Sequence, residues 1–285
     1  MVQEVTGVIF DIKEFAVYDG PGIRQTVFMK GCPLRCNWCH NPEGLSAQPQ
    51  LMVSAASCTH CGACAAVCQH PDGCVACGQC ISVCPLRLRR IAGERLSPRQ
   101  LADRILENDD YYAAQGGGVT FSGGEPLMQA AFLQQTLDLL PHTHKAIETS
   151  GYADADVFNA VVKRLDYVMM DVKLVDDALH QRYTGVSNQK ILRNLKSLCQ
   201  GTLPFVVRIP VIPGVNDSVQ NFEATARLIA GAPALQKAEL LPYHKTAGAK
   251  YEMVGKAYQP LFHTEQPVAI HQEIFSRYQI RSEVL

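Results

Sequence analysis

Eight of the twelve cysteines in this 285-residue chain fall within the twenty-seven residues from Cys58 to Cys84. The rest of that stretch is mostly small residues with no long hydrophobic period, so it cannot bury a conventional core. A segment of this kind needs a staple, and metal ligation supplies folding energy directly. The start, Met1-Val2-Gln3-Glu4-Val5-Thr6, is acidic, with neither a basic flank nor a long apolar run, so no secretory signal is expected. Without export, twelve cysteines point to metal ligation in a reducing compartment, and the cytoplasm is the expected location. The metal-held stretch divides the chain. Residues 49–94 form an insert, and residues 1–48 with 95–285 are long enough for one α/β domain.

The spacing within the insert is regular. Cys58-x2-Cys61-x2-Cys64-x3-Cys68 is followed by Cys74-x2-Cys77-x2-Cys80-x3-Cys84-Pro85. This is the doubled bacterial ferredoxin run, in which the fourth cysteine of each half ligates the other cluster. One [4Fe–4S] cluster is thus assigned to Cys58, Cys61, Cys64 and Cys84, and a second to Cys74, Cys77, Cys80 and Cys68. Two details depart from the pattern. Gln69 stands where the first half would carry proline, and only five residues separate Cys68 from Cys74. Zinc is the alternative metal. His60 and His70 flank the run, but eight thiolates leave them no necessary role, and Cys199 is read as a small buried hydrophobe.

Outside the insert, β-rich runs alternate with amphipathic helical stretches. Strands are expected at 8–12, 26–30, 119–121, 145–149, 167–172, 205–211 and 238–242. Helices are expected at 98–114, with Ser97 as N-cap ahead of Pro98, and near 127–140, 154–164, 188–200 and 218–230. Alternation of this kind implies a parallel sheet of βαβ units, whose ligand site gathers at the carboxyl ends of the strands. A formal net charge of −1 leaves no electrostatic footprint for nucleic acid or an acidic membrane surface. No run of about eighteen apolar residues suggests a membrane span.

The strand at 26–30 runs into Gly31-Cys32-Pro33-Leu34-Arg35-Cys36-Asn37-Trp38-Cys39-His40-Asn41. A [4Fe–4S] cube normally takes four cysteines, and no fourth follows before Cys58. Three protein ligands leave one iron open, as in a catalytic rather than a structural zinc site. An open iron can bind a small molecule and deliver an electron into it. A zinc knot is the alternative, but zinc favours paired CxxC or CxxH elements, and no such pair remains once the insert is assigned.

With CxxxCxxC in place, the chain resembles the radical S-adenosylmethionine (SAM) enzymes. The turn Ser122-Gly123-Gly124-Glu125-Pro126 resembles their GGEP element. Tyr18-Asp19-Gly20-Pro21-Gly22-Ile23-Arg24, Cys39-His40-Asn41-Pro42-Glu43, Met170-Asp171-Val172-Lys173 and Leu241-Pro242-Tyr243-His244 narrow the resemblance to the activating enzymes of glycyl radical enzymes. It covers roughly residues 5–280, and includes the subgroup with an eight-cysteine insert. The resemblance implies a partial (β/α)6 TIM-type barrel with a small ferredoxin-like α+β insertion.

The resemblance also implies the site. Cys32, Cys36 and Cys39 would hold the catalytic cluster, and Trp38 would lie against the adenine beside His40. Gly123, Gly124 and Glu125 would shape the methionine end of the pocket. Asp171, Val172 and Lys173 would lie along SAM, with Lys173 on its carboxylate, a suitable charge partner. Arg208 and His244 would line the far side. A monovalent cation would sit at Glu148, Thr149, the Met169 backbone and Asp171, although an aspartate is expected where Glu148 stands. Asp19 and Gly20 would dock the partner's glycine loop, where an ordinary Asp-Gly-Pro-Gly turn is the plainer reading. The implied cofactors are SAM and three [4Fe–4S] clusters. The implied partners are a glycyl radical enzyme as protein substrate and a flavodoxin or ferredoxin as electron donor, for a monomer bound to neither nucleic acid nor membrane. The rival readings are a radical SAM enzyme acting on a small molecule or another protein, and an iron–sulfur electron carrier.

Overall fold

A computed structural model describes residues 5–70 and 72–285. One nine-stranded sheet organises the chain. Its strands are β1 (Gly7–Ala16), β2 (Arg24–Met29), β5 (Glu94–Leu96), β6 (Gly118–Gly123), β7 (Lys145–Thr149), β8 (Tyr167–Asp171), β9 (Phe205–Val211), β10 (Leu235–Pro242) and β11 (Ser282–Val284). Their order across the sheet is β11-β10-β9-β8-β7-β6-β2-β1-β5. From β2 to β11 every neighbouring pair is parallel, while β1 runs antiparallel to both β2 and β5.

The crossovers carry α3 (Pro98–Leu106), α4 (Asp109–Ala114), α5 (Ala130–Asp138), α6 (Ala155–Val162), α7 (Asp177–Thr184), α8 (Gln189–Cys199), α9 (Val219–Ile229) and α10 (Gln272–Arg277). Ser97 caps α3 in a reciprocal pair with Gln100: the Ser97 hydroxyl accepts from the Gln100 amide, and the Gln100 side chain accepts from the Ser97 amide. The expected helix 98–114 is broken in two. Asn108 starts a second helix with Asp109 and Asp110 in its first turn, where acidic residues complement the positive helix end. Helix α7 was not expected, because its eight residues carry little apolar period. Its ends were nonetheless marked by Asp176, which accepts from the Leu179 amide, and by left-handed Gly185.

One face of the sheet packs under the helices in a continuous core that includes Phe121, Ile147, Val168, Met170, Val207, Ile209, Phe222 and Phe275. The opposite face bears a small apolar group, Ala146, Tyr167, Met169 and Val206, and also charged side chains, among them Glu148, Arg208 and Glu239. No helix among the described residues is long and apolar enough to cross a membrane.

The cysteine-rich stretch carries a second, two-stranded sheet of its own. β3 (Gln50–Val53) and β4 (Arg89–Ala92) pair as an antiparallel ribbon, and between them lie two one-turn helices, α1 (Ala63–Ala66) and α2 (Gln79–Ser82). Each short helix begins at a left-handed glycine, Gly62 or Gly78. Among the described residues between Val53 and Ile91, none is buried.

Candidate active site

The loop after β2 carries the first cysteine motif and is fixed from three directions. Gly31 donates its amide to the Gly44 carbonyl at 2.8 Å, and the Glu125 amide donates to the Gly31 carbonyl at 2.8 Å. From below, the Arg35 and Asn37 amides donate to the Thr184 and Tyr183 carbonyls at the end of α7, at 2.7 and 3.0 Å. Trp38 anchors the loop in an apolar group with Leu174, Tyr183, Ile212 and Val215. The unpredicted helix α7 thus supports the motif.

Cys32, Cys36 and Cys39 share a cavity of about 300 Å³ at the carboxyl ends of β2 and β6–β10. Trp38, His40, Gly123, Gly124, Glu148, Thr149, Asp171 and Lys173 line the same cavity. The site lies where a parallel sheet collects ligands. Among the described residues, no three His, Cys, Asp or Glu side chains gather tightly enough for a single metal ion; the three thiols face a common space. Burial pushes the Cys36 thiol up to about 12, and it raises Cys32 and Cys39 as well. Ligation by these thiols must therefore release protons.

Lys173 is almost wholly enclosed and donates to Asp171 at 2.6 Å. Burial opposes the ammonium charge, but Asp171 and then the neighbouring cysteines hold Lys173 above its ordinary range. A cation is thereby kept at the cavity wall.

The glycines of the Ser122–Pro126 turn serve a purpose beyond ligand access. A Cβ on Gly124 would meet the Gly31 carbonyl oxygen at 2.3 Å, and one on Gly123, at φ +111°, would meet the Met29 amide nitrogen at 2.4 Å. Only bare backbone lets β6 press against the cysteine loop here. Glu125 does not reach the cavity. It is fully buried beneath it, accepting from Thr149 Oγ1 at 2.6 Å, from the Ser150 amide at 2.9 Å, from Ser150 Oγ, and from the Leu127 amide. Burial raises its carboxyl above the usual range despite these donors.

Arg208 also lies outside the cavity. At 4 % exposure it bridges Glu148 and Glu239, each at 2.7 Å, and donates to the Tyr18 carbonyl. Burial works against the charge of Glu148, but Arg208 and the Ser122 hydroxyl hold its carboxyl below the usual range. Val172 is buried, with its amide donated to the Arg208 carbonyl at 2.8 Å. The Met169 side chain is buried in the small apolar group. His244 is exposed and near His40, and the cavity lining does not include it.

Tyr18 to Gly22 folds against the charged face of the sheet. Thr26 donates to the Asp19 carboxylate and Thr120 to the Asp19 carbonyl, both at 2.6 Å, while Arg24 donates to the Pro21 carbonyl at 2.9 Å. Gly22, at φ +69°, sits so close to Gly116 that a Cβ would fall 2.3 Å from its carbonyl carbon. Sequence reasoning missed Arg24, Thr26 and Thr120 as the anchors of this turn. Their only signal was polarity in a strand with buried neighbours on both sides.

In the insert, one cavity of about 200 Å³ is lined by Cys58, Cys61, Cys64 and Cys84. Another of about 370 Å³ is lined by Cys64, Cys68, Cys74, Cys77 and Cys80. Each fourth cysteine, Cys68 and Cys84, has crossed to the cavity of the other half. Cys199 lies on α8, partly buried against the core and away from all of these sites.

The radical SAM superfamily matches this sequence over residues 26–229. The isethionate sulfite-lyase activating enzyme of Nitratidesulfovibrio vulgaris is 37 % identical over 279 residues, covering 89 % of each chain. The trans-4-hydroxy-L-proline dehydratase activating enzyme of Clostridioides difficile is 37 % identical, covering 88 % of this chain and 89 % of the relative. The chain is a glycyl radical enzyme activating enzyme of the radical SAM superfamily. Its fold is also that of Streptococcus suis SuiB, solved with its precursor peptide SuiA, at a TM-score of 0.51 and 11 % identity over 86 % of this chain and 43 % of that one. The name activating enzyme, carried by both relatives, goes with different lyases and dehydratases, so family membership leaves the partner open.

Proposed function

We propose that this activating enzyme holds SAM on a three-cysteine [4Fe–4S] cluster and removes one hydrogen atom from a glycine of a partner glycyl radical enzyme. The observation that carries this reading is the shared cavity: three thiols, no fourth cysteine, and an enclosed ammonium on the wall. The donor set fits the group, because three thiolates ligate three irons and leave one for SAM. When bound, the cluster and SAM would supply one-electron radical chemistry at the cavity, able to remove one hydrogen atom from the partner's glycine.

The chain's own residues orient and enclose. Lys173 is placed to meet the SAM carboxylate as a charge-assisted donor. The turn at Gly123 and Gly124 offers backbone at the cavity edge, with Glu125 tying it from below to Thr149 and Ser150. Trp38 and His40, on the cavity wall beside Cys39, would take the adenine in this reading. Arg208 and His244, off the cavity wall, act in this reading through Glu148 and His40 rather than by lining it. Glu148, Thr149, the Met169 carbonyl and Asp171 are the proposed cation ligands. The Glu148 carboxylate is shared with Arg208, which weakens the case for a cation there. The turn at Asp19 and Gly20 would receive the partner's glycine loop, with Tyr18, 69 % exposed, beside it.

The two insert cavities suit two further [4Fe–4S] clusters in the crossed pairing, within a ferredoxin-like module over 49–94 inserted in a partial (β/α)6 barrel. A cytoplasmic, anaerobic flavodoxin or ferredoxin would supply the electrons. The test is anaerobic reconstitution followed by reduction in the presence of SAM. About twelve irons per chain are expected, along with 5′-deoxyadenosine. A partner radical whose electron paramagnetic resonance doublet collapses on α-deuteration of its glycine completes the expectation. Replacing Cys32, Cys36 and Cys39 by alanine should leave about eight irons and abolish SAM cleavage. Continued 5′-deoxyadenosine formation by that triple variant would refute the assignment.

A further inference from the structure

We propose that Arg89 is an electrostatic bridge between the two cysteine sets of the insert and raises the reduction potentials of both clusters. The inference rests on the three-cluster reading and concerns what the chain itself contributes to those clusters. Ribbon β3–β4 has two faces. On one, Met52 and Ala92 pack with Phe10 against Phe28, Met253 and Val254. On the other, the pairs Leu51–Ile91 and Val53–Arg89 stand in successive register under the cysteine cavities.

Arg89 lines both cavities. Its guanidinium faces Cys64 and Cys84 of one set and Cys80 of the other. Among the described residues lining either cavity it is the single Asp, Glu, Lys or Arg; the rest are cysteines, small or apolar residues, Thr59, Gln79 and the histidines His60 and His70. Four thiolates around each cluster build a large negative charge, and this one fixed cation is placed to serve both.

Each insert cluster gains one negative charge when it accepts an electron. A cation that cannot deprotonate stabilises the reduced state more than the oxidised one, and cluster potentials follow net charge and hydrogen bonds to sulfur. A cation belonging to one cavity would separate the two potentials. One shared between them shifts both in the same direction, so that exchange of an electron between the clusters is not made steeply uphill. The donor, a flavodoxin or ferredoxin, is oxidised by one electron as one insert cluster is reduced by one. That same electron then leaves for the cluster at Cys32, Cys36 and Cys39.

The test is a potentiometric titration of the anaerobically reconstituted full chain, followed by electron paramagnetic resonance. Arg89→Gln should move both insert midpoints to more negative potential, by several-fold in each reduction equilibrium. Its iron content should match the wild type, and the SAM-binding cluster should not move. Arg89→Lys should stay near the wild type. Arg90→Gln removes the same charge from an exposed residue that lines neither cavity, and should change nothing. Insert midpoints unmoved by Arg89→Gln, movement of one cluster alone, or an equal shift from Arg90→Gln would each overturn the role of Arg89. Wild-type protein holding iron at Cys32, Cys36 and Cys39 alone would overturn the three-cluster reading instead, and the inference with it.

Discussion

Cys32, Cys36 and Cys39 lie on a loop held by strands, a helix end and an apolar anchor, whereas the eight cysteines of 58–84 lie on a stretch with no buried described residue. The first loop is held by the chain's own hydrogen bonds and apolar packing. Its thiols are enclosed, and burial raises all three. The insert is joined by a ribbon and two one-turn helices, far shorter than the ~12 residues an isolated helix needs to be even marginal. One region has its cysteines positioned by hydrogen bonds and packing; the other has eight cysteines and little packing to position them. In the proposed reading, catalysis would need the first arrangement, because SAM would meet preset groups, and a relay would need only fixed clusters.

The comparison is most exposed to metal removal, where the largest effect is expected. Chelation under reducing, anaerobic conditions should melt the cysteine-rich stretch and leave the nine-stranded sheet intact. Limited proteolysis of apoprotein should then cleave within 55–88 and spare the strands β6–β10. The junction to watch is Gly93, at φ +132°, where a Cβ would meet Pro49 Cα at 2.7 Å. Equal protection of insert and barrel in the apoprotein would break the contrast.

The same contrast governs what could be read from the sequence. The grouping of the eight clustered cysteines was legible from spacing: Cys68 and Cys84 each face the cavity of the other half. The six central parallel strands were legible from their apolar runs, and the site's place from the strand ends. What stayed hidden was long-range and polar. Glu125 sits in a turn that invites a ligand role, yet its donors come from Thr149 and Ser150 on the next strand. Arg208 stands in the middle of β9, and its partners Glu148, Glu239 and Tyr18 lie far away in sequence. Burial and pairing across a sheet are not encoded in local pattern. The short strands β5 and β11 were missed for a related reason, since three residues carry no period.

A middle-sized effect tests whether the barrel is indeed held by such pairing. Arg208→Leu leaves Glu148 and Glu239 without their shared cation and the Tyr18 carbonyl without a donor. Breaking a buried pair in this way costs about 3–5 kcal/mol. In the insert, Val75→Ala removes a side chain that is 61 % exposed and should change stability by less than ~0.5 kcal/mol. Urea denaturation of the reconstituted proteins, followed by far-ultraviolet circular dichroism, measures both. Comparable losses in the two variants would mean that the insert has a packed interior after all.

The smallest effect concerns Cys199, a thiol that lines none of the three cysteine cavities and reports on burial against the main core alone. It packs at the edge of the main core, and burial pushes it up to about 11. An unfolded thiol ionises near pH ~8.5, so the folded value lies above the unfolded one. A raised value means that the native state holds its proton longer. The resulting stabilisation is fully present below the unfolded value and declines as pH rises from about 9 toward 11. Because the side chain is only partly buried, the decline is discounted to about 1 kcal/mol. Cys199→Ala should therefore flatten the stability curve slightly between pH 8 and 10.5 relative to wild type, with metal-free protein and reductant used for both. Cys32, Cys36 and Cys39, also raised by burial, contribute their own alkaline decline, and subtraction of the two curves removes it. Alkylation gives an independent reading: at pH 8 the exposed Cys61, Cys68, Cys74 and Cys77 of the apoprotein should react with iodoacetamide well before Cys199. Were Cys199 modified as fast as those four, its edge of the core would be open, and the contrast between a packed sheet and a sparsely packed cysteine-rich stretch would be less sharp than its surroundings indicate.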